Sequence, residues 1–122
     1  MNKKVICFDL DNVICKTKKN FYNKSKPKKN VIRFINQLYC DGFFIKIFTS
    51  RFMGRCKENV YRSKKKGFKF TEHQLKKWNL KYNKLVFGKP SYDIFIDDKN
   101  LSFTQNWIPL LKKKLNINEN IF

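Results

Sequence analysis

Apolar residues fall into two kinds of pattern along the chain. Lys4 to Phe8 carries Val5, Ile6, Cys7 and Phe8 in a continuous run of β-branched, thiol and aromatic side chains, which predicts a buried strand. Phe43 to Phe48 repeats that pattern and predicts a second strand. From Asn30 the period changes: Val31, Phe34, Ile35 and Leu38 recur at helical spacing, and Asp41-Gly42 closes the helix. The stretch from Ile14 to Lys29 is polar and lysine-rich, with Pro27 near its end, and reads as a loop or flap. Phe52 to Lys66 predicts a basic helix ending at Gly67, and Thr71 opens another through about Trp78, with Glu72 in its first turn. Leu85 to Phe87 is a short strand stopped by Gly88 and Pro90. Asp93 to Ile96 is a further one ended by Asp97-Asp98. Ser102 to Leu115 reads as helical, with Pro109 kinking it or marking its true start. The tail 116–122 carries no pattern, and no internal repeat or long linker is visible.

Strands that alternate with helices predict an α/β domain with a mostly parallel sheet, and 122 residues suit one domain spanning 1–122, with the flap at 14–29. In such sheets ligands collect at the carboxyl ends of the strands. The polar residues there are Asp9 and Asp11 after the first strand and Thr49, Ser50 and Arg51 after the second. Gly88-Lys89-Pro90 follows the third and Asp97-Asp98 the fourth. Groups distant in sequence are therefore expected to converge on one edge.

Charge changes the picture next. The chain has 28 Lys plus Arg against 9 Asp plus Glu, a formal net of +19, and such a field attracts anions. The compositional alternative is that most of these lysines are simply solvated, in a chain rich in Lys, Asn, Ile and Phe together. Cys7, Cys15, Cys40 and Cys56 have neither metal-site nor redox-motif spacing, and Cys7, inside an apolar run, is expected as a buried thiol. The apolar run after the amino-terminal lysines is too short for a signal peptide, and no stretch approaches membrane-spanning length, so the expected setting is soluble, reducing and cytoplasmic.

Against that basic background, four of the nine acids stand at two strand ends. Crowded carboxylates repel one another unless a cation or a proton sits among them. Hard oxygen ligands with room for water and phosphate suit Mg²⁺. A carboxylate can also attack phosphorus to form an aspartyl-phosphate, and a second one two positions on can protonate the leaving oxygen and then deprotonate water. Hydroxyl and ammonium donors such as Thr49 and Lys89 would stabilise the transferring group.

In this order, "DLDNV", "IKIFTSR", "GKP" and "IDD" resemble the four signatures of the haloacid dehalogenase superfamily. More narrowly, "TSRFMGRCKENV", "KWNLKYNKLVFGKP" and "YDIFIDDKN" are similar to small phosphatases encoded with capsule and lipopolysaccharide biosynthesis genes. The resemblance spans roughly Val5 to Asn100. It implies that Asp9 is the nucleophile and Asp11 the general acid and base, with the Asp11 backbone carbonyl facing the metal. Thr49 would bond the phosphoryl oxygens and Lys89 neutralise charge. Asp97 and Asp98, with Asp9 and Asp11, would complete a Mg²⁺ site. It further implies a Rossmann-like core with strand order 3-2-1-4 and a possible edge strand. The motif spacing leaves no room for a cap domain. Val13 stands where many members have Thr, and the adjacent acids of the fourth motif leave the division of labour between Asp97 and Asp98 open.

Asn12, Ser50, Arg51 and Lys16 are the candidate substrate contacts. Lys18 and Lys19 join Lys16 as flap cations able to hold an anionic substrate, and Arg51 has a surface ion pair as its alternative. Asp93 is expected to begin a strand or cap a turn, and His73 is expected on a helix surface. Phe43, Phe44, Trp78 and Trp107 are expected in the core, and Lys64-Lys65-Lys66 on a solvated face. The expected activity is a Mg²⁺-dependent phosphomonoesterase acting on a small phosphorylated sugar, polyol or sugar acid. The alternatives are a phosphatase of nucleic-acid ends and a non-catalytic basic binding module. A homo-oligomer that completes the site with a neighbouring subunit is compatible with either.

Overall fold

Val5–Asp9 forms β1 in the computed structural model, which describes residues 4–117. Cys15–Lys16 (β2) and Lys26–Pro27 (β3) pair antiparallel, with a 3₁₀ turn at Tyr22–Lys24 between them. The flap expected as irregular is thus a short closed ribbon. Lys29–Cys40 is α1, Phe44–Thr49 is β4, Val60–Lys77 is α2, Lys84–Phe87 is β5 and Trp107–Lys114 is α3. Strands β1, β4 and β5 form one parallel sheet in that spatial order, so the second strand of the sheet is central. Helix α1 packs on β4 and α2 on β5. The core is built from Phe8, Leu10, Ile35, Leu38, Ile45, Ile47, Leu75 and Leu85.

All three α-helices of the described residues end the same way. After α1, the Gly42 amide donates to the Tyr39 carbonyl and that of Phe43 to Leu38, with Gly42 at φ +96°. Asn79 (φ +59°) and Asn116 (φ +57°) take the glycine's place after α2 and α3, with the same pair of bonds. This left-handed closure satisfies carbonyls that the last turn would leave unpaired, and asparagine is the residue after glycine that tolerates it best.

The two helices expected over Phe52–Trp78 are one, and it begins later. Residues 51–58 run through successive turns, with Lys57 and Glu58 at positive φ, which no right-handed helix accommodates. Asn59 then caps α2, its Oδ1 accepting the Arg62 amide at 2.9 Å. Gly67 does not end the helix because its missing side chain is what the packing needs. Ser63, Gly67, Thr71 and Leu75 form the buried stripe of α2 at four-residue steps. A Cβ on Gly67 would lie 2.2 Å from Cδ2 of the buried Phe52 ring. Gly67→Ala should therefore lower stability by about 1 kcal/mol, overpacking of about 2 kcal/mol being partly offset by alanine's better helix propensity. The urea midpoint reads this, and a midpoint unchanged or raised would show that the Phe52 ring yields freely.

The chain divides into two compact units, Met1–Ser91 and Tyr92–Phe122, where its length suggests one. In the second unit, the strand expected at Asp93–Ile96 is not formed. That segment is irregular, and Ile94 and Ile96 are 81% and 92% exposed. Tyr92 stacks on Phe95 with ring centroids 5.0 Å apart. Helix α3 starts just before Pro109, so the proline marks its first turn, where no backbone amide is needed. Trp107 and Leu111 are its buried residues, and Phe103 packs on Trp107. Residues 118–122 of the patternless tail lie outside the described residues.

Three core expectations change with this architecture. Among the described residues β1 has a neighbour on one side only, so its run is not enclosed: Phe8 is buried, whereas Val5 and Cys7 are exposed. The buried thiol is Cys15 instead. Phe43 and Trp107 are core aromatics, Phe44 is 40% exposed and Trp78 is half-buried. His73 and Lys64-Lys65-Lys66 are exposed on α2.

Candidate functional site

Three parallel strands deliver three polar groups to one edge. Asp9 is the last residue of β1, Thr49 the last of β4, and Lys89 follows β5 by two residues. The Lys89 amide donates to the Thr49 carbonyl at 3.1 Å, which carries the loop across the end of the central strand. From there Lys89 Nζ reaches Asp9 Oδ2 at 3.2 Å. The other Asp9 oxygen accepts the Leu10 amide at 2.9 Å. Gly88 makes this turn feasible: its φ is +101°, and a Cβ there would meet Val60 Cγ1 at 2.8 Å. From the other side Glu58 fixes the loop end, its carboxylate accepting from the Ser91 amide at 2.9 Å and the Ser91 hydroxyl at 3.3 Å.

Burial pushes the Asp9 carboxyl above its ordinary value, and the Lys89 ammonium and Leu10 amide pull it partly back. A carboxylate that is short of solvation yet still 37% exposed meets the description of a nucleophile held by one ammonium.

Asp11 points elsewhere. Its carboxylate accepts a fork from Arg51, with Nη2 to Oδ1 at 2.9 Å and Nε to Oδ2 at 3.0 Å. The Thr17 hydroxyl donates to Oδ1 at 2.5 Å. Burial keeps the Cys15 thiol protonated above its usual range, and its S–H lies 3.6 Å from the same oxygen. To give a proton to a leaving group, Asp11 would have to be released from Arg51.

Arg51 is the largest fully buried side chain of the described residues. Its ion pair is internal, and its guanidinium is enclosed by Asp11, Gln74, Ser25 and the Tyr22 ring, whose centroid lies 4.8 Å away. It is not placed as a substrate contact, and the surface ion pair expected as its alternative is buried. Thr49 is fully buried, and its hydroxyl accepts the Arg51 amide at 3.1 Å, so it braces the turn that follows β4. Ser50 is half-buried, its carbonyl accepting the Met53 amide. Asn12 sits at φ +68°, its side chain accepting the Thr17 amide and its carbonyl accepting Lys28 Nζ. Lys16, Lys18 and Lys19 are exposed.

Within the first unit the acids do not by themselves group as the implied Mg²⁺ site would need. Among the described residues no three His, Cys, Asp or Glu side chains are grouped as for a cation. The Asp9 oxygens face an ammonium and an amide, and the Asp11 carboxylate faces a guanidinium. Asp97 and Asp98 are exposed residues of the second unit, and Asp97 Oδ1 accepts the Lys99 amide at 3.2 Å.

Thr17, Ser25, Tyr22 and Gln74 carry more of the site than the sequence announced. Thr17, Tyr22 and Ser25 lie in a lysine-rich stretch with no apolar period, and Gln74 is one polar residue on a polar helix. No spacing ties them to Arg51.

No family model matches the chain, and no curated protein matches it. A solved structure does: the crystal structure of a structural-genomics target from Vibrio cholerae is similar at 25% sequence identity with a TM-score of 0.75. The match covers 91% of this chain and 98% of that one. It supports a small α/β fold with a parallel sheet and carries no statement of activity.

Proposed function

We propose that the protein is a capless phosphomonoesterase that transfers a phosphoryl group to Asp9 and then to water. One observation carries the reading: Asp9 and Lys89, 80 positions apart, meet at 3.2 Å at the carboxyl edge of a parallel sheet, with burial acting on the carboxylate. An Asp9 oxygen attacks phosphorus, and the bond from phosphorus to the ester oxygen breaks. The leaving oxygen takes a proton, for which Asp11, once free of Arg51, is the candidate donor. Water then attacks phosphorus as Asp11 takes back a proton from it, the acyl-phosphate bond breaks, and inorganic phosphate leaves with Asp9 and Asp11 regenerated. Lys89 offsets the negative charge that gathers between the carboxylate and the phosphoryl oxygens. The motif resemblance supports a small phosphorylated sugar, polyol or sugar acid of surface-polysaccharide synthesis as substrate, and Mg²⁺ as activator.

A phosphate-release screen over sugar, polyol, sugar-acid and nucleotide monophosphates, with Mg²⁺ and with chelator, tests this. Turnover that depends on the cation and favours the small acids and sugars is expected, and none on any ester would refute the reading. The +19 charge favours a second reading, a phosphorylated nucleic-acid end, whose turnover would fall steeply as salt rises.

Lys89→Met should lower kcat about 10²-fold, the usual cost of removing one charge-stabilising donor. It should also move the acid limb of kcat/KM to higher pH. Lys89 favours ionised Asp9, so without it the carboxyl titrates higher and a larger share is protonated at a given acid pH. A rate profile from pH 4 to 8, with the limb unmoved, would exclude the pair from the reactive form.

A further inference from the structure

The bonds around Arg51 have a direction that their geometry fixes. A guanidinium has five N–H donors and no acceptor, while an ionised carboxylate only accepts. All five hydrogens find partners. Nε–H and one Nη2–H go to Asp11, the second Nη2–H to Ser25 Oγ at 3.3 Å, and the two on Nη1 to Gln74 Oε1 at 2.6 Å and Thr71 Oγ1 at 3.4 Å. Ser25 Oγ therefore accepts from Arg51 and gives its own hydrogen to Thr17 Oγ1, 2.6 Å away. Thr17 in turn donates to Asp11 Oδ1. The result is a closed ring, Arg51 to Ser25 to Thr17 to Asp11, in which each bond polarises the next.

The two hydroxyls belong to opposite arms of the ribbon. Thr17 follows β2 and Ser25 precedes β3. The ribbon tip is fastened by the same cation: Gln74 accepts from Arg51 with Oε1 and donates with Nε2 to the Tyr22 carbonyl at 2.8 Å. Removing the Asp11 carboxylate from the ring would leave the Thr17 hydroxyl and two of the five guanidinium hydrogens, Nε–H and one Nη2–H, without their acceptor.

We infer that Arg51 is a positioning residue which holds Asp11 and, through the Ser25–Thr17 ring, holds the 15–27 ribbon shut, so that Asp11 turns to a substrate only as the ribbon loosens. The role given to Asp11 toward substrate rests on the phosphatase reading, whereas the coupling of carboxylate to ribbon does not. Amide hydrogen exchange of the full chain, followed by mass spectrometry, tests the coupling without turnover. Thr17→Val should speed exchange of the 15–27 amides about tenfold, the equivalent of one lost buried hydrogen bond. Thr17→Ser, which restores the hydroxyl, should return wild-type rates. Asp11→Asn, which removes the charged acceptor, should speed the same amides at least as much as Thr17→Val. In all three variants the α1 amides should exchange as in wild type. Unchanged ribbon exchange in Thr17→Val or Asp11→Asn, or equal loosening in Thr17→Ser, would overturn the inference. A protein with no phosphatase activity but the expected exchange pattern refutes the function and leaves the latch standing; an active protein with a rigid ribbon does the reverse.

Discussion

Asp9→Asn should abolish phosphate release, by at least about 10³-fold, while leaving the fold in place. The amide keeps the size of the side chain and an oxygen for the Leu10 amide, but its neutral oxygen is no nucleophile toward phosphorus. Stability is not expected to suffer from the lost charge. Burial is the largest influence on this carboxyl and raises its folded-state value above the ordinary 3.8, so the wild type is favoured with Asp9 protonated. That contribution is complete below pH 3.8 and is lost as pH rises through the raised folded value. The neutral asparagine avoids that desolvation at every pH, so its thermal midpoint at pH 7 should lie at or above that of the wild type. Phosphate release and circular dichroism on one preparation decide the matter. Wild-type turnover in the variant would remove Asp9 from the chemistry, and loss of the folded signal would make its role structural.

Arg51→Ala should be the costliest single change to stability. It leaves the Asp11 carboxylate without its fork and Gln74 Oε1 without its donor, in a place solvent does not reach easily. Breaking one side of a buried pair typically costs about 3–5 kcal/mol, here a fall in thermal midpoint on the order of 10 °C or more. Arg51→Lys should recover only part of it, because an ammonium on a flexible stem cannot supply a planar fork to Asp11 together with bonds to Gln74, Thr71 and Ser25. Removing both partners should cost less than the sum of the single changes, the mark of a direct interaction. Denaturant unfolding of the four proteins measures this cycle, and a loss below about 1 kcal/mol in Arg51→Ala would mean that the pair barely offsets its own desolvation.

How far these features could be read from residues depends on how local their causes are. The strands β1, β4 and β5, the helix α1 and its stop at Gly42 follow from apolar period and turn chemistry within a few positions, and were legible. So was the approach of Asp9 and Lys89, because parallel strands must present their carboxyl ends together. The start of α2 was not, since the left-handed turns at Lys57 and Glu58 leave no compositional trace. Gly67 was misread for a different reason: a glycine that permits a helix to pass close to a ring looks, in sequence, like one that stops it. The run Asp93–Ile96 has the residues of a strand, but pairing is a property of neighbours, which the run itself does not contain. Arg51 followed a strand as a phosphate-binding cation would, and its burial depends on Gln74 and Ser25, at 23 and 26 positions' distance.

In this chain lysine is the commodity cation and arginine the rare one: 24 of the 28 basic residues are lysines. An exposed lysine contributes to an overall field, and any one of them is replaceable at little cost. Position 51 is bound by a stricter requirement, five hydrogens in one plane with a partner for each. Exchanging single outer lysines should therefore leave the fold almost untouched, while no other side chain supplies what position 51 requires.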